Sequence, residues 1–283
     1  MIFEDLFAHR SFDENSRRVL NKLLSTSNYE ENKTVYWRGS DSEDMFTERI
    51  GSPTRPFIQE QFNYWKNKKI EYRYNEKGFR SDDSFDGKGI LCLGCSYTEG
   101  IGLPIEYNWS YKLAKALNTK HFNLGQAGLG LDSAYRLLLG YKDKLDFDKV
   151  FLLAPPPYRY EWFTGDNRLI DDYFVNKPDL MQWLAQSMGS NFHIKEPQGK
   201  FFKSFIFGSE MNDTIHESKV IHAIKGLCSE IGVDFYYRSY YINRKEKEGL
   251  AGKENVPARD GLPGSAEQEF YFNSFLKMVN ENN

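Results

Sequence analysis

The chain has 283 residues, a net charge of -3 and a hydrophobic content of 40%. This length suffices for one large domain, or for one domain with an accessory segment. The balanced charge excludes the strongly basic proteins that bind nucleic acid or anionic membranes, and no apolar run approaches the roughly 18 residues that span a bilayer. The acidic start, Met1 to Leu6, is not typical of a signal peptide, and three cysteines do not make a disulfide framework. We therefore expect a cytoplasmic protein with reduced thiols.

The first part of the chain, residues 1–71, is mixed and polar, and we predict it to be an accessory segment. A single amphipathic helix is predicted over residues 13–24. Its apolar face would consist of Val19, Leu20, Leu23 and Leu24. The residues from there to Tyr74 show no regular period, which predicts irregular structure.

Residues 72–283 are predicted to form the main domain, because apolar strands there alternate with amphipathic helices. The predicted strands cover residues 89–94, 121–125, 150–154 and 233–240. The predicted helices cover residues 109–117, 134–141 with Asp132 as N-cap, 213–231, and 266–279 with Ser265-x-x-Gln268 as a capping box. A long insertion with aromatic clusters, about residues 156–210, follows the third strand. This alternation predicts an α/β fold, a three-layer α/β/α sandwich around a parallel sheet.

Polar or glycine-rich segments follow each predicted strand. Ser96 follows the first strand, Gly125 to Gly130 the second and Pro155 to Arg159 the third, and Asp260 follows the fourth after a loop. In parallel sheets, ligands bind at the carboxyl ends of the strands. We therefore expect these four segments to meet at one edge of the sheet.

In their order, these segments resemble the blocks of the SGNH (GDSL-like) hydrolase family, whose phage and environmental bacterial members often carry Gly-Cys-Ser. Gly94-Cys95-Ser96 resembles the first block, and Asn123-Leu-Gly-Gln-Ala-Gly128 the second. Asp260-Gly-Leu-Pro263 resembles the last block, except at its histidine. Asn75-Glu-Lys-Gly78-Phe79-Arg80 is similar to an element ahead of the first block in many relatives. The resemblance covers about residues 72–280 and implies the family's flavodoxin-like fold.

The resemblance implies a serine hydrolase that cleaves a carbohydrate ester or a small acyl ester without a cofactor. Ser96 would be the nucleophile, and Asp260 would orient its base. The N–H groups of Ser96 and Gly128 would form the oxyanion hole, which stabilises the charge of the tetrahedral intermediate. Asn123 and Arg159 are further candidates for an oxyanion donor or a substrate contact.

The family's catalytic histidine is missing from this pattern, since one residue is absent between Leu262 and Pro263. A serine hydroxyl is a weak nucleophile without a base. His193, in the insertion, and His216, near the start of a helix, are the candidates for a substitute base, whereas His121 begins its strand at the opposite end of the sheet. A second hypothesis is therefore a catalytically impaired protein of the same fold that binds a glycan or a partner protein. A phage assembly protein is a third, and it rests on the family analogy alone.

Other motifs favour packing over a binding site. Cys92-x-x-Cys95 has the spacing of a redox or half-zinc site, but Cys92 falls inside a predicted strand, which favours a core thiol. The glycines of residues 125–130 match neither the Rossmann nor the P-loop pattern, and no cluster has metal-ligand spacing. We predict neither a metal nor a cofactor. Tyr158 to Phe163 is either a stacking wall for a sugar or acyl group or an apolar cluster beneath the insertion.

Overall fold

A computed structural model describes residues 24–25, 27, 29–50, 61, 63–82, 84–157, 159, 161, 210–250, 254–261 and 264–282. The predicted helix over residues 13–24 and the predicted insertion over residues 156–210 lie almost entirely outside the described residues. None of the described helices combines the length and the apolar character needed to cross a bilayer.

Strands and helices alternate along most of the described chain. The strands are β1 (Thr34–Val35), β2 (Tyr72–Arg73), β3 (Lys88–Leu93), β4 (Lys120–Asn123), β5 (Asp146–Ala154) and β6 (Asp234–Ser239). The helices are α1 (Glu43–Ile50), α2 (Ser96–Glu99), α3 (Trp109–Ala116), α4 (Leu131–Tyr141), α5 (Glu210–Glu230), α6 (Arg244–Glu248) and α7 (Ser265–Asn282), with a 3-10 turn at Ile105–Tyr107. The predicted strands of the main domain are therefore present, although β5 begins four residues earlier than its apolar run.

A four-stranded parallel sheet, in the order β4-β3-β5-β6, forms the centre of the fold. Successive side chains of each strand face opposite sides of the sheet. Leu91 and Val150 pack on one side, whereas Cys92 and Phe151 pack on the other. Strands buried on both sides need continuous apolar sequences, as β3 and β5 have. The α/β class and the parallel sheet predicted from the sequence are confirmed.

Helices cover both sides of this sheet. On the side of Leu91, α4 and α5 contribute a cluster that includes Leu137 and Leu227. On the side of Cys92, α3 and α7 contribute Trp109 and Phe275, whose rings lie 4.7 Å apart. Each fully buried side chain of this kind stabilises the fold by about 1.5–3 kcal/mol. These two apolar layers hold the strands in register and thereby define the edge where the strands end.

The predicted capping box at the start of α7 is wrong. Ser265 is the first residue of the helix, and its hydroxyl accepts a hydrogen bond from Val256 N at 2.7 Å. The Ala266 N–H group is bonded instead to Asn255 Oδ1 at 3.0 Å. The Gln268 side chain accepts a hydrogen bond from the first residue of α3. The two polar residues thus join α7 to other parts of the chain, and Asn255 satisfies the helix end.

The segment before Tyr74, predicted to be irregular, contains regular structure. β1 pairs antiparallel with β2, and α1 begins with acidic residues that suit a helix N-terminus. A third apolar cluster joins this segment to the loops at the carboxyl edge of the sheet; its members include Trp65, Ile70, Tyr72, Ile101, Leu103 and Ala258. The boundary between residues 71 and 72 stays a prediction, and both the β1–β2 pair and this cluster connect its two sides.

Candidate active site

Ser96 lies at the sharp turn between β3 and α2. Gly94 makes this turn with a φ of 153°, and a Cβ there would lie 2.7 Å from the Leu153 carbonyl oxygen and would overlap Thr98 Oγ1. Only glycine therefore lets the strand continue directly into the helix. Ser96 is the first residue of α2 and is 8% exposed, so the residue is buried at the carboxyl edge of the sheet.

The Ser96 hydroxyl has no base beside it in the described part of the chain. Its only recorded hydrogen-bond partner there is Cys95 Sγ, at 4.0 Å, which is a weak acceptor. His193 lies outside the described residues, as do Leu262 and Pro263, where the sequence lacks the family's histidine. Among the described residues, no group that could take a proton is therefore hydrogen-bonded to the Ser96 hydroxyl.

Two asparagine side chains anchor α2 at the edge of the sheet. The Thr98 carbonyl oxygen accepts hydrogen bonds from Asn108 Nδ2 at 2.7 Å and from Asn123 Nδ2 at 2.9 Å. Asn123 Oδ1 in turn accepts a hydrogen bond from Gly125 N at 2.9 Å. Asn123 therefore joins α2 to the loop after β4. Its role as a donor to substrate stays a prediction.

The loop after β4, residues 124–130, packs against α2 and leaves Gly128 open. A Cβ at Gly125 would lie 2.6 Å from Thr98 Cβ and 2.9 Å from Glu99 N, so this part of the loop touches the helix. Gly128 has a φ of 84°, and a Cβ added to it would meet nothing within 4 Å. The left-handed backbone, and not crowding, therefore favours glycine at position 128.

Glu99 connects this loop to α2 and was missed by the sequence analysis. Its buried carboxylate accepts hydrogen bonds from Tyr29 Oη at 2.9 Å, Tyr74 Oη at 2.8 Å and Ala127 N at 2.5 Å. Burial raises the pKa of Glu99, and these hydrogen bonds together with the positive charge of Arg38 oppose that rise. The one available signal in the sequence was an acidic residue directly before Gly100 in a turn of small residues.

Asp260 lies against the loop that follows α2. Asp260 Oδ2 accepts a hydrogen bond from Ser40 Oγ at 2.5 Å. A Cβ at Gly102 would overlap Asp260 Oδ1, and the neighbouring Arg259 N donates to the Gly102 carbonyl oxygen at 2.8 Å. Ser96 and Asp260, which are far apart in sequence, are thus placed on adjoining loops at one edge of the sheet.

A buried ion pair holds the Asp260 loop in place. Arg259 donates to both carboxylate oxygens of Asp41 at 2.6 Å, and it lies 3.7 Å from the centre of the Trp37 ring. The Tyr72 hydroxyl donates to Asp41 at 2.5 Å and accepts from Gly102 N at 2.8 Å. The segment before β2 therefore supports both loops beside Ser96, which no local motif in that segment indicated.

Arg159 contacts the glycine loop from the end of β5. Its Nη1 donates to the Leu129 carbonyl oxygen at 3.2 Å, and its backbone lies so close to Gly130 that a Cβ there would overlap the Arg159 carbonyl oxygen. Burial raises the pKa of Tyr97, the negative charge of Asp260 adds to that rise, and the positive charge of Arg159 opposes it. The predicted candidates Arg159 and Asp260 thus both act electrostatically on the residue next to Ser96.

His216 lies beside an acid but makes no recorded hydrogen bond with Ser96. His216 Nε2 is 3.7 Å from Asp132 Oδ1, in the first turn of α4. Asp132 was predicted as the N-cap of this helix, which is wrong: the N-cap is Gly130, and Asp132 Oδ2 accepts a hydrogen bond from Glu161 N at 3.0 Å. This places the His216–Asp132 pair where the glycine loop enters α4.

His121 is a buried structural residue. Its Nε2 lies 2.8 Å from Ser110 Oγ at the start of β4, and burial lowers the pKa of the ring to about 3. The three cysteines are also buried and form no disulfide. No group of three or more His, Cys, Asp or Glu side chains in the described ranges is arranged to hold a metal ion.

Comparison with known proteins adds no assignment. No protein-family model matches the chain, and no curated protein matches it either. The resemblance to SGNH hydrolases therefore depends on the residues of this chain and on their arrangement.

Proposed function

We propose that this chain is a serine ester hydrolase with the flavodoxin-like sandwich of the SGNH family, and that Ser96 is its nucleophile. One observation carries the proposal: α2, which begins with Ser96, is in direct contact with the Gly128 loop on one side and is followed by the loop that touches Asp260 on the other. These are the segments that the family resemblance assigns to the nucleophile, the oxyanion hole and the acid. Their convergence supports a shared site.

In this proposal, Ser96 Oγ attacks the carbonyl carbon of an ester as its proton passes to a base. The base then returns this proton to the alcohol, which leaves. In the second step, water gives a proton to the base as it attacks the acyl-enzyme, and the base returns that proton to Ser96 Oγ as the acid is released. The N–H groups of Ser96 and Gly128 stabilise the oxyanion, and each such donor contributes about 3 kcal/mol. The substrate is a carbohydrate ester or a small acyl ester.

His193 or His216 supplies the base in this proposal. His216 Nε2 already lies 3.7 Å from an acidic side chain, that of Asp132. If His193 is the base, Asp260 would be its acidic partner. Replacing His193 and His216 with Asn, one at a time, identifies the base as the residue whose loss removes activity.

A second candidate function is a binding protein of the same fold for a glycan or a partner protein. Two observations favour it. The Ser96 hydroxyl has no base among the described residues, and the Asp260 carboxylate already accepts the Ser40 hydroxyl at 2.5 Å. A site that cannot remove the serine proton can still bind an ester without cleaving it.

Hydrolysis of p-nitrophenyl acetate separates the two functions. The wild-type chain, Ser96→Ala and, as a matched control, Ser84→Ala at an exposed serine are compared at equal folded concentration. The hydrolase predicts that Ser96→Ala falls to the uncatalysed rate while Ser84→Ala retains the wild-type rate. Equal rates in all three proteins would reject Ser96 catalysis on this ester and direct attention to glycan binding.

A histidine inserted between Leu262 and Pro263 tests the missing base directly. The insertion restores the Asp-x-x-His-Pro spacing of the family. If the natural chain lacks only its base, the inserted chain hydrolyses the ester faster, and the gain disappears when Ser96→Ala is added. No gain would show that the proposed oxyanion hole is also incomplete or that the Asp260 segment does not correspond to the family's last block.

A further inference from the structure

We infer that Glu99 is a positioning residue that holds the Gly128 N–H group in place relative to Ser96. This inference rests on the proposed function, because it concerns the donors of the proposed oxyanion hole. Glu99 is the last residue of α2, the helix that begins with Ser96. Its carboxylate binds Ala127 N, the backbone group directly before Gly128. One side chain therefore connects the helix of the nucleophile to the loop of the second donor.

The contact adds to the hydrogen bond of 3.2 Å from Leu129 N to the Gln126 carbonyl oxygen, which already closes the loop around Gly128. Gly125 already touches α2, but a Cβ at Gly128 would meet nothing within 4 Å. Glycine has more backbone freedom than any other residue, so the direction of its peptide groups depends on the contacts on either side of it. The Glu99–Ala127 bond fixes the chain one residue before Gly128, and so limits the directions that the Gly128 N–H group can take.

Three hydrogen-bond donors face the side chain at position 99, and a carboxylate can accept from all of them. Tyr29, Tyr74 and Ala127, from three separate parts of the chain, each donate to Glu99. An ionised carboxylate only accepts, and its two oxygens can serve all three donors. The amide of Gln has a single acceptor oxygen, so it cannot accept from all three donors, and its N–H group would face either Ala127 N or a tyrosine hydroxyl that would then have to accept. Because burying a charge is costly, a charged carboxylate at this position depends on this set of hydrogen bonds.

The surroundings of Glu99 keep its carboxylate pointed at the loop. The ring of Tyr29 lies 4.7 Å from that of Tyr74, and the Arg38 guanidinium lies 3.4 Å from the centre of the Tyr29 ring. Both tyrosines and Arg38 come from the chain before β3. The N-terminal part of the chain thus contributes to the geometry of the site without contacting the reacting atoms.

Steady-state kinetics of Glu99→Gln separate positioning from folding. An oxyanion donor acts on the transition state, so its displacement lowers kcat and leaves KM nearly unchanged. Loss of one donor costs about 100- to 1000-fold in kcat, and we expect a displaced one to cost at least about tenfold. Ser81→Ala is the matched control: it removes a buried hydroxyl that donates to the His121 carbonyl oxygen, at the opposite end of β4, and it should leave both constants unchanged.

Tyr29→Phe and Tyr74→Phe each remove a single hydroxyl that donates to Glu99. They test the same hydrogen bonds if Glu99→Gln does not fold. Each should lower kcat by a smaller factor than Glu99→Gln, again with KM unchanged. The amide proton resonance of Ala127 gives a readout independent of activity. It should move upfield in Glu99→Gln, because the hydrogen bond to a carboxylate is lost, and stay in place in Ser81→Ala.

The outcomes distinguish this inference from the proposed function. If the wild-type chain cleaves ester in a Ser96-dependent way and all three Glu99-network variants keep their kcat, the positioning role is wrong and the hydrolase stands. If the wild-type chain shows no Ser96-dependent cleavage, the hydrolase and the positioning role both fail. A selective fall in kcat together with a moved Ala127 resonance supports the inference.

Discussion

The interior of the sheet and the layer over its carboxyl edge are built from different interactions. Strands β3 and β5 pack through apolar side chains, such as Leu91 and Phe151, between two layers of helices. The layer over the edge instead buries Glu99 and the Asp41–Arg259 ion pair. Apolar contacts have no preferred direction, whereas hydrogen bonds and ion pairs require defined positions. The interior therefore depends on apolar packing, whereas the layer around Ser96 combines an apolar cluster with directed hydrogen bonds and ion pairs.

Arg80 illustrates how the edge layer orders backbone. Its buried guanidinium donates to the carbonyl oxygens of Glu99, Gly100 and Leu103, and it lies 4.3 Å from the centre of the Tyr72 ring. The loop that follows α2 has little regular secondary structure to satisfy these carbonyl groups. Arg80 supplies the missing donors, which the strands of the interior obtain from each other.

The largest expected effect is the loss of the buried ion pair at the edge. Asp41→Asn leaves Arg259 buried without a charged partner, which should lower the free energy of unfolding by about 3–5 kcal/mol. Glu281→Gln is the control, since it removes an exposed pair with Lys277 that contributes about 0.2–1 kcal/mol. Urea unfolding measures both variants. A similar small loss in both would show that the edge layer does not depend on this pair.

A cavity in the interior should lower the free energy of unfolding by an amount similar to the loss of the ion pair. Unlike that loss, it should leave the contacts around Ser96 intact. Leu91→Ala removes a fully buried side chain from the centre of β3, and we expect a loss of about 2–5 kcal/mol. Because the polar contacts around Ser96 remain, any Ser96-dependent activity per folded molecule should be retained. Activity that falls in Leu91→Ala as steeply as in Asp41→Asn would remove the distinction between the two regions.

Acid should destabilise the protein through His121, a buried polar group packed against the interior. Burial, with the positive charges of Lys115 and Arg80, lowers its pKa from 6.5 to about 3. The unfolded chain therefore binds a proton that the folded chain excludes, and stability falls as the pH drops from 6.5 toward 3. The slope reaches up to about 1.4 kcal/mol per pH unit. Unfolding of wild-type and His121→Gln chains between pH 7 and pH 4 should diverge in this direction; parallel curves would contradict it.

The smallest expected effect is at the helix cap that joins the two regions. Asn108 Oδ1 accepts from Ser110 N at 2.8 Å at the start of α3, while Asn108 Nδ2 donates to Thr98 at the edge. Asn108→Ala should cost about 0.5–2 kcal/mol for the cap, plus the bond to Thr98. Asn108→Ser can retain the cap without the reach to Thr98. In urea unfolding, the difference between the two variants therefore measures the cap, and the difference between wild type and Asn108→Ser measures the bond to Thr98. Equal stability of both variants would show that the cap contributes nothing beyond the bond to Thr98.

Much of the fold followed from local patterns. The apolar run within β5 predicted a buried strand, and Ser96 was predicted to follow the first strand of the main domain; both are present, whereas the helix α2 was not predicted. Helix starts were less predictable. Asp132 and Ser265 have the side chains that favour caps, but they accept hydrogen bonds from Glu161 N and Val256 N, which lie outside their helices. Short polar side chains bond to whichever backbone group tertiary packing brings near.

The sequence by itself determined the parallel α/β sheet and the position of Ser96 at the end of a strand, because both depend on residues that are neighbours in the chain. Only the tertiary structure decided that Tyr29 and Tyr74 meet Glu99, that Ser40 meets Asp260 and that Asp41 pairs with Arg259. These contacts join residues that are 25 to 220 positions apart. No periodicity encodes such pairs, since burial turns an ordinary acid or tyrosine into a directed contact only when the chain has folded.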